Sequence, residues 1–259
     1  MLTSVQLALL VLAGFGAGLV DAIAGGGGLI TLPALLAVGL PPHIALGTNK
    51  GQAVFGAVSS ATSFWRRGAI DRRRAMPAFA SGFVGSLLGA LAQLALEPAA
   101  LRPLVLVMLL GAAVIVAWPR RGGASGHRAR EPIAHAMIWG AVTALVLGAY
   151  DGFFGPGVGT MLIVAFVLVF GDTLTRASGN AKVVNLASNL AALLLFSIKG
   201  TIAWRVALPM AGANALGAFF GARLAVTRGD RFVRLVVLAV VVVLVVKLLL
   251  DLLASRSRS

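Results

Sequence analysis

The chain contains no cysteine, and its histidines are few and scattered. The absence of cysteine excludes disulfides, thiolate catalysis and cysteine-ligated metals. His43, His127 and His135 form no cluster with the spacing of metal ligands. No Lys-Ser/Thr pair of a nucleotide-binding loop follows the longest glycine run. We therefore expect no metal site, no cofactor and no enzyme activity.

Charge is also scarce in this chain. Only 12% of the 259 residues are charged, and 59% are hydrophobic. Soluble domains carry about 25% charged residues. Apolar runs long enough to cross a bilayer recur along the whole length. The composition predicts an all-α fold: a polytopic transmembrane helical bundle that forms a single membrane domain over residues 1–259.

The net charge of +14 comes mainly from arginines in short loops between apolar segments. Basic residues in such loops orient a membrane protein and contact anionic lipid headgroups, so we exclude nucleic acid as a partner. No basic residue precedes Lys50, and this argues against a cleaved signal peptide.

The apolar segments are separated by short polar stretches. They cover residues 5–24, 29–38, 43–65, 75–96, 101–118, 133–151, 158–170, 177–198, 206–226 and 232–253. The polar residues 119–132 form a linker, which separates a first repeat at 1–118 from a second at 133–259. Each repeat has about four apolar segments, because a glycine-rich motif interrupts the first segment of each.

Matching residues indicate that the two halves are homologous. Asp21 corresponds to Asp151 at an offset of 130, and Lys50 corresponds to Lys182 at an offset of 132. The second offset also relates proline, arginine and glycine pairs: Pro77 to Pro209, Arg102 to Arg234 and Gly68 to Gly200. Many secondary transporters are built from two such halves.

The halves could be inverted or parallel, depending on the path of the broken segment. A segment that dips and returns to the same side gives three crossings per half and an inverted repeat. A segment that runs through gives four crossings and a parallel repeat. Both models place most loop arginines inside, so the positive-inside rule does not choose. We prefer the inverted model because residues 29–38 suit one arm of a dip.

Four ionisable residues interrupt apolar segments at related positions: Asp21, Asp151, Lys50 and Lys182. Each would cost about 2.5–3.5 kcal/mol at the bilayer centre unless it is paired or faces water. One interpretation is two Asp–Lys pairs that hold the halves together. A compatible interpretation is an anion site to which the lysines contribute positive charge, while Asp21 and Asp151 orient the lysines or take a proton in coupled transport.

Glycines and carboxamides add to the predicted site. A helix that starts after Gly28 or Gly157 directs unpaired N–H groups and a positive dipole end at the break. Asn185 and Asn189 share a helix face with Lys182 nearby. The predicted anion-binding residues, beside the two lysines, are Thr48, Asn49, Asn185, Asn189, Gly26, Gly27, Gly28 and Gly157.

These residues lie in stretches that resemble the TauE/SafE-type sulfite exporter family. The matching stretches are the GxxAGxxxxxxGGGG pattern that begins at residue 14, LP at 32–33, GLPPHIALGTNK at 39–50, DGFFGPGVGT at 151–160 and AKVVNLASNL at 181–190. The resemblance covers nearly the whole chain. It implies a permease of the bacterial inner membrane that moves sulfite, organosulfonates or related small anions.

The sequence as a whole therefore predicts a secondary transporter that works by alternating access. The alternatives are a transporter or channel for another small anion, such as a carboxylate, and a membrane-embedded enzyme. A channel would differ by flux that does not saturate. The expected partners are the anion and the lipid bilayer, with a homodimer left open.

Overall fold

The computed structural model describes residues 2–97, 99–101, 103–105, 107–108, 111 and 136–256. The linker at 119–132 and most of the predicted span at 101–118 lie outside these residues. The helices are α1 (Ser4–Ala24), α2 (Gly28–Ala37), α3 (Pro42–Arg66), α4 (Arg72–Leu94), α5 (Ala136–Phe153), α6 (Val158–Phe170), α7 (Leu174–Ile198) and α8 (Trp204–Arg256). The predicted all-helical membrane fold is confirmed.

Local sequence signals set the helix ends. Thr3 and Gln6 form a capping box at the start of α1. The first helix ends at Gly25, whose φ of 78° is left-handed. Asp71 caps α4 by accepting a hydrogen bond from Arg73 N at 3.0 Å. Gly229 (φ 68°, ψ −167°) breaks α8 between the two spans predicted there.

Within the part of the chain that the structure describes, three helices, α1, α4 and α7, are long and apolar enough to cross a membrane. The 21 residues of α1 reach about 31 Å at 1.5 Å per residue, close to the hydrocarbon thickness. In contrast, the 10 residues of α2 reach about 15 Å. The second helix is therefore too short to cross a membrane by itself, as the sequence predicts for residues 29–38.

Glycine stripes bring helices from distant parts of the sequence into contact. A Cβ on Gly18 would lie 2.2 Å from the Asn214 backbone oxygen, and one on Gly217 would lie 2.0 Å from the Phe15 oxygen. The same contact joins α4 to α5, where a Cβ on Gly89 would lie 1.9 Å from the Ala149 oxygen. Glycine at these positions therefore lets the helix backbones pack closely.

The order of contacts gives the relative helix directions. Gly14 faces Met210 and Gly18 faces Asn214, so α1 runs parallel to the first part of α8. A different order relates α3 and α7. Near the start of α3, Gly47 faces Thr201, just after the end of α7. Near the start of α7, Gly179 faces Ala69, just after the end of α3. The third and seventh helices are therefore antiparallel.

An ion-pair network lies where the α3–α4 turn meets the start of α7. Arg74 donates to both Asp172 oxygens at 2.7 and 3.0 Å and to Asp71 at 2.8 Å. Burial acts to raise the pKa of Asp71, but its hydrogen bond with Arg74 and the Arg74 charge outweigh burial and hold that pKa below its usual value. Asn180 completes the network by accepting from Asp71 N at 2.8 Å.

The turn after α7 makes a related but uncharged contact with α3. Ala203 N donates to the Thr48 hydroxyl at 3.0 Å. By the offset of 132, Ala203 corresponds to Asp71, and Thr48 corresponds to Asn180. The neighbouring Val206 and Leu46 belong to an apolar cluster, against which Leu40 also packs. The contact of the α3–α4 turn with α7 is thus held by ion pairs, whereas the contact of the turn after α7 with α3 is mainly apolar.

Candidate functional site

The two glycine breaks touch each other through their backbones. Thr160 N donates to the Gly25 oxygen at 3.2 Å, and the Thr160 hydroxyl donates to the Ala24 oxygen at 2.7 Å. A Cβ on Gly25 would lie 2.1 Å from the carbonyl carbon of Gly159. Because no side chain intervenes, the end of α1 and the start of α6 form one continuous junction.

An ion pair lies at one side of this junction. Lys182 Nζ of α7 donates to Asp21 Oδ2 of α1 at 2.6 Å. The lysine side chain is fully buried, whereas that of Asp21 is 29% exposed. Asp21 also accepts from Gly27 N at 3.2 Å. One backbone donor of the first break is therefore satisfied by this carboxylate.

A second ion pair lies at the other break. Lys50 of α3 donates to Asp151 Oδ1 of α5, and Ser188 donates to the other carboxylate oxygen. The lysine and aspartate side chains are only 3% and 4% exposed. This pair also packs against Gly155, where an added Cβ would lie 2.9 Å from Lys50 Nζ. Both predicted Asp–Lys pairs are thus present, and each joins residues from opposite sides of the linker.

A small polar cavity lies between the two pairs, with a volume of about 40 Å³. Eight of the predicted residues line it: Asp21, Gly27, Gly28, Asn49, Lys50, Asp151, Asn185 and Asn189. The other four, Thr48, Gly26, Gly157 and Lys182, do not line it. The Thr48 hydroxyl accepts from Ala203 instead, and the Lys182 ammonium reaches the site only through Asp21.

Six further residues line the cavity. Gly25 and Gly155 belong to the two glycine breaks, for which the sequence predicts a ligand-lining role, whereas Gln52, Ala53, Val158 and Asn214 were missed by sequence reasoning. Gln52 and Asn214 carried a usable signal, since a carboxamide within an apolar span costs free energy unless it is bonded. Ala53 and Val158 carried none, because both are ordinary residues of an apolar helix.

Carboxamides supply most of the uncharged polar groups at the cavity. The Asn49 oxygen accepts from the Thr31 hydroxyl at 2.5 Å and from Gln52 Nε2 at 3.3 Å. The side-chain oxygens of Gln52 and Asn185 are buried and have no partner among the described residues. An unsatisfied buried acceptor costs about 1–3 kcal/mol, so the cavity is suited to water or a ligand that donates hydrogen bonds.

The charges around the cavity balance. Two ammonium groups face two carboxylates, and all four residues join in the pairs described above. An anion that binds here can displace a carboxylate from a lysine, or its charge can be balanced by a proton or another cation that binds with it. Over the described residues, no group of three or more histidine, aspartate or glutamate side chains could hold a metal.

Comparison with known proteins agrees with this membrane architecture. The family model described as "Sulfite exporter TauE/SafE" matches residues 10–248. A probable membrane transporter protein of Haemophilus influenzae is 38% identical over 245 residues, which are 95% of each chain. No solved structure matches the chain.

Two other relatives carry the same kind of name. The probable membrane transporter protein YfcA of Escherichia coli K12 is 38% identical over 91% of this chain and 86% of its own length. The probable membrane transporter protein ORF9 of a Sinorhizobium species is 34% identical over 95% of this chain and 93% of its own. These are transporters and not enzymes. The chain belongs to the TauE/SafE sulfite exporter family of integral membrane transporters.

Proposed function

We propose that this transporter carries a small anion, sulfite or an organosulfonate, by alternating access. The observation that carries the proposal is the pair of buried Lys–Asp contacts beside the junction of the two breaks. Breaking the Lys50–Asp151 pair frees an ammonium that lines the cavity, and breaking the Asp21–Lys182 pair frees one that lies behind Asp21. Buried charges in a membrane span mark substrate or ion pathways.

The size of the cavity favours the smaller members of this substrate class. One water molecule needs about 10–15 Å³ measured in this way. The cavity of about 40 Å³ has room for roughly three waters, or for one oxyanion of four heavy atoms such as sulfite. An organosulfonate requires the cavity to widen. A carboxylate remains the second candidate, since acetate has the same number of heavy atoms.

The difference in exposure between the pairs suggests how substrate and proton are coupled. Both carboxylates accept hydrogen bonds at both oxygens, but Asp21 is partly exposed whereas Asp151 is buried. Protonation of Asp21 removes its charge and releases the Lys182 ammonium for the anion. A proton and an anion then enter the site together, and its net charge stays at zero.

Alternating access requires two halves that move against each other, which we assign to residues 1–118 and 133–259 in an inverted arrangement. The antiparallel α3 and α7 support this assignment, because a parallel repeat would make these two corresponding helices parallel. In this arrangement the arginine-rich turn between α3 and α4 faces the cytoplasm of a bacterial inner membrane. The Asp71–Arg74–Asp172 network then closes the cytoplasmic side. Homodimer formation stays a prediction.

Single-cysteine labelling distinguishes the inverted from the parallel arrangement, because the natural chain has no cysteine. Three exposed positions are suitable: Ser4→Cys, Arg67→Cys and Lys199→Cys. We expect a membrane-impermeant maleimide to label Ser4→Cys and Lys199→Cys on intact spheroplasts, and Arg67→Cys only after lysis. The parallel model puts all three cysteines on one side, so labelling of all three together would contradict the inverted halves.

Uptake into proteoliposomes tests the substrate class. Wild-type protein should accumulate labelled sulfite with saturation, and excess methanesulfonate should compete. An equal excess of acetate is the matched control, since it replaces the sulfonate group by a carboxylate on the same methyl group. Competition by acetate without competition by methanesulfonate would favour the carboxylate alternative and contradict the proposal.

A further inference from the structure

Asn214 is a cavity residue that none of the interactions described above uses. Its side chain projects from α8 and lines the cavity, and the residue is 5% exposed. The carboxamide has no hydrogen-bond partner among the described residues. Its polar atoms are open to the cavity, where water or a bound ligand can form hydrogen bonds with them.

Two glycines hold Asn214 in this position. A Cβ on Gly56 of α3 would lie 1.7 Å from Asn214 Oδ1, so the absence of a side chain there makes room for the carboxamide. The Asn214 backbone packs on Gly18 of α1, three residues before Asp21. On a helix, residues three apart share a face. Asn214 thus stands on the side of the cavity that carries the Asp21–Lys182 pair.

The corresponding positions around the other ion pair are built differently. The offset of 132 relates Asn214 to Gly82 and Gly56 to Ser188. Gly82 packs on Gly148, as Asn214 packs on Gly18, but it contributes no polar group. The polar group there is the Ser188 hydroxyl, which Asp151 already occupies. Both ion pairs are therefore bonded within the protein, but only the Asp21–Lys182 side carries an additional carboxamide, that of Asn214, without a partner in the described part of the protein.

We propose that Asn214 is a substrate-contacting residue that sets the affinity for the anion. Its NH₂ group donates to an anion oxygen on the side of the cavity that carries the Asp21–Lys182 pair, and its oxygen can accept a hydrogen that the substrate carries. The Lys50–Asp151–Ser188 group is then mainly structural, so the two related ion pairs have different roles. This inference rests on the proposed transport of small oxyanions.

Three variants in proteoliposomes, assayed for sulfite uptake, separate contact from packing. Asn214→Ala should raise KM about tenfold or more, with the maximal rate per folded protein changed by less than about threefold. Gly56→Ala should raise KM in the same direction, because the added methyl displaces the carboxamide. Ser59→Ala is the matched control: it removes the 2.8 Å hydrogen bond to Ala215 at the same α3–α8 contact, outside the cavity. Its KM should stay at the wild-type value.

A conservative variant keeps the test informative if Asn214→Ala folds poorly. Asn214→Ser retains a donor, so its KM should lie between those of wild type and Asn214→Ala. A KM equal to that of the wild type in Asn214→Ala or in Gly56→Ala would overturn the assignment. A KM of Asn214→Ser as high as that of Asn214→Ala would also overturn it. Absence of saturable uptake of any sulfur oxyanion by the wild type would instead overturn the proposed function, and the inference with it.

Discussion

Lys182→Met is expected to abolish anion transport, and the double variant Asp21→Asn/Lys182→Met is expected to restore folding without restoring transport. The single change leaves the Asp21 carboxylate without its ammonium. We expect a loss of about 3 kcal/mol in stability, the low end for a broken buried pair, because Asp21 keeps contact with the cavity. Transport should fall at least about 100-fold, equivalent to about 2.8 kcal/mol.

The double variant separates the two roles of this ion pair. Replacing a buried pair by uncharged groups of similar volume is often neutral for stability. The asparagine that replaces Asp21 would still accept the hydrogen bond from Gly27 N, and the methionine would fill the space of the lysine stem. Melting temperature in detergent and sulfite uptake in proteoliposomes are the two measurements. Recovery of both would contradict a transport role for the pair and leave it as a link between helices.

Gly25→Ala is expected to prevent assembly of the junction between the two breaks. A residue with a side chain at φ 78° costs about 1–2 kcal/mol for its backbone conformation alone. The new methyl carbon would also lie 2.1 Å from the Gly159 carbonyl carbon, and rotation of a side chain cannot relieve a clash with backbone. We expect a total loss of more than about 3 kcal/mol and a melting temperature about 10 °C lower.

Gly16→Ala is the matched control for this change. It lies on the same helix, and a Cβ there would have no atom within 4 Å. Alanine has the higher helix propensity, so this variant should be as stable as wild type or gain up to about 1 kcal/mol. Equal recovery of Gly25→Ala and Gly16→Ala as monodisperse protein would contradict the backbone contact between the breaks.

Much of the fold could be predicted because the residues that end helices are local signals. The glycine run after α1, Pro41-Pro42 at the start of α3 and Asp71 before α4 each fix a boundary by backbone conformation or capping. The break at Gly229 also fell between two predicted spans. These effects need no knowledge of tertiary contacts, so the predicted helices agree closely with the observed ones.

The site was predicted only in part, since burial depends on partners far away in the sequence. The Asp–Lys pairs followed from the cost of isolated charges in an apolar helix. The sequence did not predict that Lys182 is fully enclosed while Asp21 reaches the cavity. In the repeat these residues correspond to Lys50 and Asp151, which are both buried. Asn214 was missed for a similar reason: its free carboxamide depends on Gly56, a residue 158 positions earlier.

Counterflow of sulfite tests the central claim most directly. Proteoliposomes loaded with unlabelled sulfite are diluted into a trace of labelled sulfite at equal pH. The alternating-access account predicts transient accumulation of label above its equilibrium level, with saturation as internal sulfite rises, and no such overshoot for Lys182→Met. Flux that rises linearly with sulfite and shows no overshoot in the wild type would contradict a carrier and identify a channel.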